Sequence, residues 1–169
     1  MPPKPAASTA APKTPAAAHA SKEEHHPEEP AANASEDDGV VKHGRFSFPD
    51  GATYVGEYRS VGGKLLRHGR GRMVNGPEQY DGDWENDQMQ GRGVYSFASG
   101  ASYEGEFQAN EFHGQGRYEW TDGARYEGGW LHGRMHSSDG RYVDKDGVEW
   151  RGRFFNGKYD NGRIFHTLR

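Results

Sequence analysis

The chain repeats itself, and the repeat decides what it can fold into. Tyr103-Glu104-Gly105-Glu106-Phe107 is followed by Gly114-Gln115-Gly116, Tyr118 and a turn at Asp122-Gly123. The pattern then restarts at Tyr126-Glu127-Gly128-Gly129-Trp130. Three further openings line up with these: Tyr54-Val55-Gly56-Glu57-Tyr58, Tyr80-Asp81-Gly82-Asp83-Trp84 and Trp150-Arg151-Gly152-Arg153-Phe154. First residues lie 26, 23, 23 and 24 apart, a basic period of 23 with small insertions. A fixed period of this length marks an array in which each unit buries its apolar face only against its neighbours.

Within a unit the apolar pattern alternates, which is the period of a strand. Positions one, three and five of each opening share a face that reads aromatic, Gly, aromatic. Positions two and four point the other way and are mostly acidic: Glu57, Asp81, Asp83, Glu104, Glu106 and Glu127. The Gly leaves room for a ring to lie across the backbone. The second half of each unit is a returning strand, seen in Gly69-Arg70-Gly71, Gly91-Arg92-Gly93 and Gly114-Gln115-Gly116. In the fourth unit Gly140-Arg141-Tyr142 matches from the second Gly onward, with Ser138 where the first would stand. Turns with Gly follow at Asn75-Gly76, Ser99-Gly100, Asp122-Gly123 and Asp146-Gly147, as hairpins require. The first unit carries an insertion, residues 59–67, predicted to project as a longer loop.

Composition agrees with a sheet of rings rather than an aliphatic core. Hydrophobic residues make up 32% and aromatics 12%, with 25 Gly. Disordered chains are poor in aromatics, so low aliphatic content alone does not make this one disordered. The absence of Cys removes disulfides, thiolate ligands and Cys nucleophiles, and mildly favours an intracellular setting. No apolar run reaches the roughly 18 residues of a membrane span, and the first residues lack the apolar stretch of a signal peptide.

Residues 1–39 differ from the rest. They hold three Lys against seven acids, with Pro at 2, 3, 5, 12, 15, 27 and 30, and no periodicity. Such a segment buries too little to offset its ordering entropy and is predicted to be a disordered Ala/Pro/Lys and acidic tail. Residues 40–157 form the array, with a half unit at 43–53 and units beginning at 54, 80, 103, 126 and 150. Residues 158–169 are expected to be a C-terminal cap or tail. The remaining chain balances at 18 basic and 18 acidic groups, which disfavours nucleic-acid binding.

Chemistry-bearing motifs are weak. The Gly-x-Gly segments lack the third Gly of a phosphate loop, having Val74, Ser96 and Glu119 there, and no helix follows. His68 and His113 recur at one repeat position, which points to packing or turn formation. Paired acids such as Glu104 and Glu106 lack the contrasting environments that separate an acid from a base. No triad, metal signature or cofactor motif is found, so the chain is expected to be no enzyme and to hold no cofactor.

The spaced Tyr-Glu-Gly-x-aromatic and Gly-x-Gly-x-aromatic motifs over about residues 43–157 resemble the MORN (membrane occupation and recognition nexus) repeat. Residues 91–155, with Asn110 to Gly116 and Gly147 to Gly152, are most similar to the short members of that family. The resemblance implies an all-β fold: an elongated, single-layer antiparallel sheet of stacked hairpins, very roughly 45–50 Å long. It implies a scaffold or adaptor that binds proteins, and a cytoskeletal address in the axoneme of a cilium or flagellum. The rings expected to line an aromatic partner groove are Tyr80, Trp84, Tyr103, Phe107, Tyr126, Trp130 and Trp150. Edge pairing of two copies would give a homodimer. An alternative reading is a peripheral adaptor that meets anionic lipid through Arg59, Lys64, Arg67, Arg70 and Arg72, a run with no acid between Glu57 and Glu78. A third is a soluble adaptor in vesicle or phagocytic traffic.

Overall fold

The computed structural model describes residues 39–165, with side chains through Asp160. The tail expected over residues 1–39 lies outside this range except for Gly39. The strands are β1 (Lys42–Ser47), β2 (Thr53–Val61), β3 (Lys64–Asn75), β4 (Glu78–Glu85), β5 (Gln88–Ser96) and β6 (Ser102–Gln108). They continue as β7 (Glu111–Glu119), β8 (Arg125–Leu131), β9 (Arg134–Met135), β10 (Ser137–Val143), β11 (Glu149–Phe155) and β12 (Lys158–Phe165). All pair antiparallel in one open sheet, in chain order from β1 to β8 and then β10 to β12, while β9 pairs with β8. There is no helix among the described residues. Residues 158–165 add a last strand to the array.

Glycine sets the register. Gly44, Gly56, Gly71, Gly82, Gly93, Gly105, Gly116 and Gly128 face one another on successive strands. Gly140, Gly152 and Gly162 continue the row on β10, β11 and β12. The row exists because the first ring of each unit lies flat on it. A Cβ at Gly71 would stand 2.1 Å from the Tyr54 hydroxyl, and one at Gly105 only 2.5 Å from the Gly116 Cα. The first would displace the buried Tyr54 ring, and the second could relax only by separating the strands.

Each of those tyrosines closes a local hydrogen bond. Tyr54 donates to the Glu57 carbonyl at 2.6 Å, Tyr80 to Asp83 at 2.9 Å, Tyr103 to Glu106 at 2.9 Å and Tyr126 to Gly129 at 3.1 Å. The phenol is thereby satisfied in a place where an orphan hydroxyl would be costly. Burial pushes the ionisation of all four well above the ordinary tyrosine range.

Between successive tyrosines stands the fifth-position ring of the next unit, edge-on. Tyr54 meets Trp84 at 5.6 Å between centroids, Tyr80 meets Phe107 at 5.0 Å, Tyr103 meets Trp130 at 5.4 Å and Tyr126 meets Phe154 at 4.8 Å. Three of these rings also meet the tyrosine of their own unit: Trp84 with Tyr80, Phe107 with Tyr103 and Trp130 with Tyr126, at 5.1 to 5.2 Å. Edge-to-face pairs of this kind add about 0.5–1.5 kcal/mol each beyond burial. Trp84 and Trp130 also donate their indole N–H to the carbonyls of Gly71 and Gly116, at 3.0 and 3.1 Å. The ladder therefore ties each unit to the one before it.

Past the glycine row the hairpins change character. A bulge interrupts the register between Gly56 and Tyr58, Gly82 and Trp84, and Gly105 and Glu106, and bulges bend a strand. Beyond it runs a short arm ending in a two-residue turn. The second turn residue of each arm donates its N–H to a carbonyl of the preceding arm: Asp87 to Arg67, Asn110 to Met89, Gly133 to Phe112 and Gly157 to Met135, at 2.9 to 3.1 Å. These latches hold the arms side by side. The insertion at 59–67 follows the same plan: it belongs to β2 and β3 and lengthens a hairpin turning at Gly62-Gly63, so it is not a projecting loop.

Candidate functional site

The aromatic face is not a groove. Tyr80, Trp84, Tyr103, Phe107, Tyr126, Trp130 and Trp150 are all buried, none more than 7% exposed. The arms add further cover: Phe112 stacks on Tyr103 at 3.8 Å between centroids and is fully buried, and Met89 and Met135 occupy the same place in the adjoining units. A ring enclosed in this way has no face left for a partner. The expectation of an aromatic docking groove is corrected: alternation tells which side of a strand the rings occupy, but not that the bulged arms and the rings fill that side themselves.

The basic run is likewise dispersed. Arg67 lies where the other units have Met89, Phe112 and Met135. Its guanidinium sits 4.3 Å from the Trp84 ring centroid and its Nε is 3.0 Å from an Asp87 carboxylate oxygen. The side chain is only 12% exposed, so Arg67 serves the core. Arg59 donates to Asn86, Arg70 meets Asp83 at 3.2 Å and Arg72 donates to Gln79. Lys64 is exposed beside the Gly62-Gly63 turn. Of the five residues read as a lipid-binding cluster, Arg67 is thus withdrawn into the core, while Lys64, Arg70 and Arg72 remain exposed. The sequence interval free of acids is met across the sheet by Asp83 and Asp87.

The acids at position four have a task that spacing alone did not reveal. Glu57 accepts the backbone N–H of Arg70 at 2.6 Å, Asp83 that of Arg92 at 3.0 Å and Glu106 that of Gln115 at 3.2 Å. Each donor follows a Gly of positive φ, namely Gly69, Gly91 and Gly114. The carboxylate thus caps a bend that only Gly adopts cheaply. A signal was present in the repeat itself: the fourth unit loses acid and Gly together, with Gly129 and Ser138.

The outward surface has two parts. On the later strands charges are paired in a chain, from Arg117 to Glu127 at 3.8 Å, Arg141 to Glu127 at 3.4 Å and Arg141 to Glu149 at 2.9 Å. The hydrogen bond from Arg141 holds the Glu149 carboxyl below the ordinary range. The other part is the row of hairpin tips. Tips 85–88 and 108–111 carry Glu85, Asp87 and Glu111 and no Lys or Arg, whereas tips 131–134 and 155–158 carry Arg134 and Lys158 and no Asp or Glu. The outward residue opening each tip is Val61, Glu85, Gln108, Leu131 and Phe155 in turn.

No group of His, Asp and Glu suited to a metal ion occurs among the described residues. His68 and His113 hold the same repeat position beside the bulge, with the His113 carbonyl 3.4 Å from the Tyr103 hydroxyl.

Comparison with known proteins gives the family. No curated protein matches the chain. The MORN repeat model matches three consecutive stretches, residues 80–102, 103–125 and 126–138, whose starts coincide with the second, third and fourth units. The units at 54 and 150 lie outside those stretches yet share their glycine row and ring ladder. MORN repeats mediate protein or membrane interactions, and no catalytic family is indicated. With three matched units inside one continuous hairpin sheet, residues 80–138 carry MORN repeats and the chain is built as a repeat scaffold.

Proposed function

We propose that this scaffold is non-catalytic and holds protein partners on its outward surface, as a cytoskeletal component of a cilium or flagellum. The observation that carries the binding surface outward is the burial of all seven ladder rings, which leaves the polar face and the hairpin tips to meet a partner. A continuous hydrogen-bonded sheet suits the task because it presents those groups at fixed spacing, and preorganised groups lose little freedom on binding. The axonemal address rests on resemblance to small MORN proteins.

Proximity labelling with the full chain in ciliated cells tests the reading. Enrichment of axonemal proteins over vesicle and phagosome proteins supports it; the reverse enrichment would replace it with an adaptor of membrane traffic.

A further inference from the structure

The tips offer a comparison within one chain. The residue that opens each tip faces outward, so the fold does not need it to be apolar: inner units use Glu85 and Gln108. At the fourth and fifth tips the same position holds Leu131, 39% exposed, and Phe155, 51% exposed. These two tips touch. Arg134 donates to the Asn156 side chain, and the Gly157 N–H donates to the Met135 carbonyl at 2.9 Å.

Phe155 also has side-chain neighbours. The His136 ring lies 5.2 Å from it and the Arg153 guanidinium 5.7 Å, so the ring has two flanking contacts that limit its freedom while half its surface faces water. An exposed aromatic with its rotamer already restricted is the profile of a binding anchor, because little ordering entropy is left to lose. Arg134 and Lys158 flank it with positive charge and are exposed. Arg153 is partnered by Asp160 at 3.6 Å, and His132 by Glu111 at 3.1 Å toward the third tip.

We infer that Leu131 and Phe155, with Arg134 and Lys158, form a docking patch for an acidic segment of a partner protein that carries an apolar side chain. This rests on the scaffold reading and names the site and partner chemistry within it. Charge complementarity selects the partner: the two tips hold two cations and no carboxylate, the reverse of the second and third tips. The apolar side chain covers Phe155 and Leu131, while flanking acids meet Arg134 and Lys158.

The test uses the full chain and a fluorescein-labelled peptide with one leucine embedded in a run of glutamates, read by anisotropy. Saturable binding is expected, weakened about tenfold by Phe155→Gln, more than most interface side chains contribute. Gln at this place is compatible with the fold, since Gln108 occupies it in the third unit, and an unchanged thermal midpoint confirms folding. Arg134→Gln should weaken binding severalfold and flatten its salt dependence.

Equal binding by wild type and Phe155→Gln would overturn the patch. So would tighter binding by a peptide of residues 23–38, which would make the occupant this chain's own acidic segment. Sedimentation with phosphatidylserine vesicles that requires Phe155 would overturn it in favour of a lipid surface. Partner capture in cells that persists in the Leu131→Gln, Phe155→Gln double variant sinks the patch and leaves the scaffold standing; no capture by wild type sinks the scaffold reading.

Discussion

The first and third units fill one place in the fold with opposite chemistry. In the third unit Phe112 stacks on Tyr103 and is fully buried, and the next latch comes from Gly133. In the first unit the same place holds Arg67, stacked on Trp84 and donating three times to Asp87, from its backbone N–H and Nε to the carboxylate and from Nη2 to the carbonyl, besides the latch it accepts. The second unit lies between them: Met89 is buried, and its N–H donates to the Asn110 side chain at 2.8 Å, as that of Arg67 does to Asp87. The lesson is that the repeat position fixes the geometry of the latch while depth in the array fixes its polarity. Arg67 is shielded but Asp87, 42% exposed, keeps enough hydration for a charged pair to be tolerated.

The sharpest way to break this contrast between middle and end is to add one methyl group to the glycine row. Gly105→Ala places a Cβ against the backbone of β7 and should cost about 3 kcal/mol or more, whereas at Gly44, on the edge strand, the nearest atom is a Tyr58 ring carbon at 3.0 Å and the cost should fall to about 1 kcal/mol. Denaturant unfolding of the two variants checks both, and equal losses would mean that the row is not a close-packed seam.

Similar in size at most are the core positions. Phe112→Ala should cost about 3–5 kcal/mol, as large-to-small changes at buried rings do. Arg67→Met, copying Met89, should cost about 1 kcal/mol by leaving Asp87 unpaired, and adding Asp87→Asn, copying Asn110, should restore wild-type stability or exceed it. A double-mutant cycle measures this, and failure of the second change to rescue the first would show that the end unit is not an inner unit with a charged pair substituted.

A third test uses pH. Burial raises the ionisation of Tyr54, Tyr80, Tyr103 and Tyr126 above that of the unfolded chain. The native state therefore keeps these protons longer. Their contribution is complete below the ordinary tyrosine value of about 10 and is lost as pH rises past it, by up to about 1.4 kcal/mol per pH unit for each group. Thermal midpoints should be level from neutrality to about pH 9 and then fall, with the Tyr103→Phe variant falling less steeply. The smallest effect belongs to the bulge caps: Glu106→Gln should cost about 1 kcal/mol or less, and Glu127→Gln, whose unit has no such cap, nothing measurable beyond its exposed ion pairs.

Much of this architecture was legible in the residues. Gly between two aromatics every 23 positions named the strands, their faces and their partners, because a glycine row and a ring row each admit one register. Burial was not legible. Alternation assigns Trp130 to a face but does not say that the face is filled, since that depends on bends at Gly91 and Gly114 and on latches between units such as Asn110 to Met89. Arg67 was hidden for a related reason: read in line with Arg70 and Arg72 it looks like part of a basic stretch. Only alignment with Met89 and Phe112 shows that it faces inward. The outward place of Phe155 is not legible in the repeat, because it is the neighbouring Phe154 that matches the motif.

The fourth unit carries a mechanical consequence. It lacks the capping acid, and its returning strand is split into β9 and β10, with an irregular register between Ser137 and Gly140. A beam of equal hairpins with one such joint does not flex evenly; strain collects at the joint. Amide exchange should therefore be fastest between His136 and Asp139 among the interior strands, where the last hairpin, β11 and β12, joins the run from β2 to β8.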